Sequence, residues 1–359
     1  MQWFCHAGYV PEAGRPRSGV RGRLLATGGV LGAALVLGCP LSAAAEEAAA
    51  APTAQCQITD ARLPEVSGLV AVGDRMLAIN DGGDKVVVYL LDARCRVIDV
   101  HTAAVDPYDP EDMAVAADGT VWLADTGDNN TDRPTVALIA LHPDGTTALY
   151  RLTYPDGPHD AEALLLAPDG TPYVVTKEIL GASGVYRPAA ALAAGATVAL
   201  RKVAAVNMTF TGTPGGPVGK VGQLLVTGGA VAPDGSRLAL RTYTDAYVWA
   251  LTGSDVAGAL AAKPVRVPLP AAPQGEAISF AADSRTLLVA GEGLPGDVSR
   301  VPVVTAAAAG GPPAPATATP VPAFTDLTSS GLSPITSALI AAAVATLAVW
   351  IGGKVSRRP

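Results

Sequence analysis

Five segments of the sequence repeat one pattern: a short apolar strand, an Asp-Gly type turn and a second apolar strand. The spacing of this pattern predicts an all-β fold, a β-propeller of five blades. Composition agrees. Gly 39 and Pro 30 in 359 residues is a strand-and-turn content rather than a helical one. With 49% hydrophobic and only 16% charged residues, the chain has ample material for a core and is not a disordered one.

The repeating segments are 65–81, 111–125, 162–177, 227–241 and 276–292, with turn aspartates Asp74, Asp118, Asp169, Asp234 and Asp283. These aspartates stand 44, 51, 65 and 49 residues apart. Further strand-like sequence follows each hairpin, such as 86–90 and 97–100 in the first, so each unit has four strands. The long third interval contains Gly-rich 212–222 and is expected to hold an insertion, with a sixth, degenerate blade as the alternative. The last unit supplies three strands, ending near 301–304. A strand at 56–62 precedes the first unit and would complete the last blade, closing the ring and removing its exposed edges. A sandwich of five strand pairs is the alternative fold.

Both ends differ from the repeat region. Residues 1–45 read as an export signal: Arg15, Arg17, Arg21 and Arg23, then apolar 24–38, then small residues Ala43, Ala44 and Ala45. Lipoprotein processing at Cys39 is the competing reading. The propeller is assigned to 46–305, and Pro/Ala/Thr-rich 306–334 reads as a stalk. Residues 335–353 are uncharged and apolar enough to span a bilayer. Lys354, Arg357 and Arg358 in 354–359 form a basic cytoplasmic tail. The expectation is a single-pass protein of the cell membrane with its propeller outside. Residues 46–334 hold 18 basic and 31 acidic residues, a net charge of −13, which excludes nucleic acid as a partner. The mature chain keeps two cysteines, Cys56 and Cys95, which fit one disulfide across the closing seam.

The chemistry is expected where the repeat positions converge. Adjacent strands run antiparallel, so the start of each first strand and the end of each second share one mouth of the channel. The starts carry Glu65, Glu111, Glu162, Thr227 and Glu276; the ends carry Asp81, Asp125, Lys177, Arg241 and Glu292. So many carboxylates at inner positions need a cation or a salt-bridge network. All-oxygen donors favour calcium as the cofactor, with Lys177 and Arg241 facing an anionic ligand. Asp125, Asp128, Asn130 and Asp132 form a second candidate calcium loop, or an Asx-rich turn. His159 beside Glu162 is a candidate general base. Nucleophile-elbow, zinc-protease and dinucleotide-binding motifs are absent from the sequence. The expected function is a surface-anchored module that binds a small anionic ligand or an envelope protein. The alternative is a metal-dependent hydrolase using Glu162, His159, Lys177 and Arg241.

The strings Glu65-x-Ser-Gly-Leu, Asn80-Asp81-x-Gly and Asp160-Ala-Glu162-Ala-Leu, with the Asp-Gly turns, resemble exported bacterial propellers of the phytase-like and esterase-like group. They are similar, more distantly, to gluconolactonase and strictosidine-synthase-like propellers. The resemblance implies a channel metal held by Glu and Asp. In enzymatic members it implies hydrolysis of phosphate or carboxylic esters by metal-activated water. Glu65, Asp81, Glu111, Asp125 and Glu162 match the acidic positions, whereas Lys177, Arg241 and Thr227 replace acids in other repeats.

Overall fold

The computed structural model describes residues 51–303. The expected export signal with Cys39, the stalk, the membrane helix and the basic tail lie outside the described residues. Among the described residues no helix is long and apolar enough to cross a membrane.

Twenty strands form five four-stranded units arranged as a propeller. Unit one is β2 (Val66–Val72), β3 (Arg75–Asn80), β4 (Val86–Leu91) and β5 (Val97–Ala103). Unit two is β6 (Pro110–Val115), β7 (Val121–Asp125), β8 (Val136–Leu141) and β9 (Thr147–Thr153). Unit three is β10 (Ala161–Leu166), β11 (Pro172–Thr176), β12 (Ala182–Pro188) and β13 (Thr197–Asn207). Unit four is β14 (Val226–Val231), β15 (Arg237–Thr242), β16 (Asp245–Ala250) and β17 (Val265–Pro268). Unit five is β18 (Gln274–Phe280), β19 (Thr286–Glu292), β20 (Gly296–Pro302) and, from the other end of the domain, β1 (Thr53–Ile58). Among the described residues helix is confined to one turn, Val256–Leu260, and a 3-10 turn, Gly219–Gln223.

Burial follows position in the blade. Inner strand β10 is buried along its whole length, whereas outer strand β5 is mostly exposed. Strands covered on both faces read as continuous apolar runs, which is why the inner hairpins dominate the sequence repeat. Inner strands β2, β6, β10, β14 and β18 each pack on the next, and β18 returns to β2. Five apolar clusters fill the spaces between neighbouring blades. One holds Leu77, Ile79 and Met113 between units one and two, and another Leu165, Leu240 and Trp249 between three and four.

The long third interval is an insertion and adds no blade. It lengthens β13 and adds the loop 208–225, which carries the 3-10 turn. β13 pairs in parallel with β9 (Thr197 to Arg151, Ala199 to Thr153), so the outer edges of units two and three cover one another.

The N-terminal strand pairs with β20 as expected, at Thr53–Ile58, with Arg62 past its end in the following turn. Cys56 on β1 is joined to Cys95 in the turn between β4 and β5, a loop of 39 residues across the seam. Removing this bond with Cys95→Ala should lower stability by about 4 kcal/mol, since the cross-link restricts the unfolded chain. Denaturant melts of the two proteins measure it. Equal midpoints would mean that the β1–β20 pairing alone holds the ring.

Candidate metal centre

Every inner strand begins with the same irregularity. The register slips by one residue between Val66 and Gly68, Pro110 and Asp112, Ala161 and Ala163, and Val226 and Gly228. A wider slip separates Gly275 from Ile278. A β-bulge re-aims the extra side chain, and the extra residues are Ser67, Glu111, Glu162, Thr227 and, in the wider slip, Glu276. One step before each bulged pair stand Glu65, Asp109, Asp160, Leu225 and Gln274. Opposite these the second strands end: Asp81 donates its N–H to Glu65 O, Lys177 donates to Asp160 O, and Glu292 pairs with Gln274.

This register corrects the sequence alignment in three places. Glu65 does not share the position of Glu111; Ser67 does, and Glu65 is exposed. Ser67 stands seven residues before its turn aspartate Asp74, as Glu111 does before Asp118 and Glu162 before Asp169, whereas Glu65 stands nine before it. Asp125 lies within its strand, opposite Pro110, one residue short of the position held by Asp81 and Lys177. Arg241 is two short, at a position occupied elsewhere by Ile79, Ala124 and Val175. Its buried guanidinium donates to the carbonyls of Ala277, Ala290 and Thr242, tying unit four to unit five rather than facing a ligand.

The carboxylates converge. Ligand atoms of Asp81, Asp109 and Glu111 lie within 4.8 Å of one another, and so do those of Glu111, Asp160 and Glu162. Glu111 belongs to both sets. Glu276 and Glu292 complete the acidic mouth, with Gln274 donating to Glu292. Burial, followed by repulsion from Asp81, pushes Asp109 up to about 9. Burial and then Glu292 push Glu276 up to about 8, and burial and then Asp81 push Glu292 up to about 7. Glu111, Asp160 and Glu162 are also raised, burial being the largest cause in each. Burial alone would lower the Lys177 ammonium, but Glu162, Tyr243 and Asp160 outweigh it and hold it well above its ordinary value. Lys177 pairs with Glu162 Oε1 and lies 5.4 Å from the centre of the Tyr243 ring.

Seven carboxyl groups surround one ammonium, more than it can neutralise, so burial and mutual repulsion favour their protonated forms where no cation is bound. Glu162 is 3% exposed, and its second oxygen, Oε2, has no hydrogen-bond partner. A Cβ added at Gly127 would collide with the Glu111 and Asp109 carboxylates, so the backbone there is part of the cradle. An orphaned buried oxygen in an all-oxygen donor set fits a hard divalent cation.

The remaining sequence candidates have other partners. Asp125 Oδ1 accepts the N–H groups of Tyr108 and Asp109 and a 3.0 Å ion pair from Arg133. Asp128 accepts the N–H groups of Asp132 and Arg133 and donates its own to Asp160 Oδ1 at 2.9 Å. Asn130 and Asp132 are exposed. The 125–132 segment thus braces Asp109 and Asp160 and does not gather its own four side chains about a point. His159 contacts Asp156, Tyr186 and Glu178, none of them among the converging mouth carboxylates. Asp109 and Asp160 escaped the sequence reading as candidate ligands. Their signal was the repeated Asp-x-Glu of 109–111 and 160–162, which aligns with Glu65-x-Ser67.

No protein-family model and no curated protein matches the chain. Among solved structures it is similar to a gluconolactonase of Xanthomonas campestris, at 17% identity and a TM-score of 0.39, covering 71% of this chain and 98% of that one. It is also similar to virginiamycin B lyase of Staphylococcus aureus, at 11% identity and a TM-score of 0.35, covering 71% and 76%. Hydrazine synthase of Kuenenia stuttgartiensis matches at 14% identity and a TM-score of 0.37, covering 68% and 97%.

Proposed function

We propose that the protein is an extracytoplasmic propeller, tethered to the cell membrane through 335–353, that holds calcium in its acidic mouth and acts as a ligand- or partner-binding module. The unpartnered Glu162 Oε2 carries this reading, because a buried carboxylate oxygen without a donor is costly unless a cation completes it. Asp81, Asp109, Glu111, Asp160 and Glu162 would hold the ion, which would supply positive charge for an anionic group of a ligand. The bulges fix the side chains of Glu111 and Glu162, the 125–133 brace orients Asp109 and Asp160, and Lys177 neutralises one oxygen of Glu162.

Glu162→Gln should weaken calcium binding at least tenfold while leaving the fold intact, measured by calorimetric titration of the full chain and by its melting curve. Unchanged affinity would remove Glu162 from the site, and no calcium binding by the unaltered protein would remove the metal reading. Hydrolysis of phosphate or carboxylic esters is the second reading, favoured by Lys177 standing beside the carboxylates. With Arg241 held by carbonyls and His159 paired elsewhere, Lys177 and Glu162 are the groups left to it. Turnover of a chromogenic ester or phosphoester that is lost in Glu162→Gln would establish that reading.

A further inference from the structure

Bulky apolar side chains stand exposed on the same face as the acidic mouth. Leu180 is 90% exposed, Phe210 64% and Ile179 52%. Ile179 and Leu180 lie on the loop that leaves β11 directly after Lys177, and Phe210 lies on the loop leading into β14. By the antiparallel order of the blades both loops belong to the mouth face. A backbone bond from Met208 N–H to Gly181 O, 2.7 Å, joins the two loops. The three side chains therefore flank one seam, with Ile179 two residues beyond Lys177 of the mouth.

The presentation is built. Gln223, 4% exposed, accepts the N–H groups of Thr211 and Gly212 and donates to Thr213 O. Asp245, fully buried, accepts the hydroxyls of Thr211 and Thr213. The inserted loop is thus pinned immediately after Phe210 by two buried polar side chains, which holds the ring outward rather than letting it fold onto the core. Exposed apolar groups on a fixed scaffold are the anatomy of an interface anchor.

Charge selects the occupant. The seam borders the acidic mouth of a domain that carries 28 acidic and 18 basic residues over 51–303, a net charge of −10. We infer that this seam docks a basic, amphipathic segment of a partner protein, whose apolar side chains sit among Ile179, Leu180 and Phe210 while its lysine or arginine side chains face the acidic rim. The inference deepens the binding-module reading and rests on it.

The test uses the full chain in phosphatidylcholine nanodiscs, with empty discs as reference, and three fluorescein-labelled 12-residue peptides. One alternates lysine and leucine, one lysine and serine, one glutamate and leucine. The lysine–leucine peptide should bind, weaken several-fold between 50 and 300 mM salt as exposed charges are screened (the Debye length is about 10 Å at 0.1 M), and weaken at least tenfold with the Leu180→Ser, Phe210→Ser double variant. The lysine–serine peptide should bind at least tenfold more weakly and the glutamate–leucine peptide not at all. Both substituted residues are exposed, and an unchanged melting curve checks the fold. Equal binding of the lysine–serine peptide, or no effect of the double variant, would overturn the proposal. So would self-association by sedimentation, or partition onto phosphatidylglycerol vesicles, that the double variant abolishes while peptide binding persists. Running each arm in calcium and in chelator keeps the two readings apart: peptide binding without calcium binding counts against the metal alone.

Discussion

In chelator the melting temperature of this protein should fall as the pH is raised from 6 to 8, by about 5–10 °C, and calcium should cancel most of the fall. The folded pKa of Asp109 is pushed up to about 9 and that of Glu276 to about 8, against ordinary carboxylate values in the unfolded chain. The native state therefore binds more protons than the unfolded one across this window, and stability has a negative slope with pH. The contribution is complete below the unfolded pKa and is lost as pH rises through the folded value. One extra proton held over two pH units is worth about 2.8 kcal/mol, and in a domain of this size each kcal/mol moves Tm by about 2–4 °C. A cation among the same carboxylates replaces those protons and is bound more tightly as they leave, so it stabilises most where the chelated protein is weakest. At a hundred times its Kd it would add about 2.7 kcal/mol. Asp112, raised to about 8 by burial against the pull of three backbone N–H groups, slopes the same way in both arms and drops out of their difference. A chelator curve flat between pH 6 and 8, or one that calcium leaves unmoved, would show the mouth to be a self-sufficient network of shared protons and the Lys177 pair.

Much of the architecture is legible because it is written in apolar strands and turn chemistry. Inner hairpins are buried on both faces, so 163–166 and 172–175 read as uninterrupted apolar runs about a turn. Cys56 and Cys95 could be matched because closure by an N-terminal strand leaves them one plausible meeting point. The mouth was legible as a region but not residue by residue. A bulge changes which side chain faces the channel without changing composition, and matching acid to acid put Glu65 in the place of Ser67, although Ser67 has the seven-residue spacing to the turn aspartate. Arg241 carries the same charge whether it faces a ligand or clamps carbonyls, and only the register, two residues from Tyr243, tells which. Asp125 and Asp128 have the spacing of an ion loop, yet their oxygens accept backbone N–H groups of 108–109 and 132–133. Short acidic side chains in turns make such local bonds in preference to gathering about an ion.

Asp112→Ala should be among the most destabilising single substitutions in the domain, costing about 5 kcal/mol. Its side chain is fully buried beside Glu111, yet it is not one of the converging mouth carboxylates. Oδ1 accepts the N–H of Met113 at 2.8 Å, and Oδ2 accepts those of Leu164 at 2.8 Å and Gly229 at 3.0 Å. These amides belong to β6, β10 and β14, the inner strands of three successive blades, which make no ladder bonds with one another; units two and three are laddered at their outer strands β9 and β13. Alanine would leave these donors facing apolar surroundings, at about 1–3 kcal/mol for each one unsatisfied. Asparagine separates hydrogen bonding from shape. Its single carbonyl oxygen can keep Leu164 and Gly229, but its NH2 must then face the Met113 N–H donor to donor, so Asp112→Asn should lose about 2–3 kcal/mol. Denaturant midpoints at constant slope measure both. A loss below 1 kcal/mol in the alanine variant would mean that water or a shifted backbone replaces the carboxylate, and that interblade apolar packing alone holds the centre of the ring. A loss in the expected order, alanine beyond asparagine, would make Asp112 the bolt on which the geometry of Glu111 and Glu162 depends, since both sit on the strands it joins.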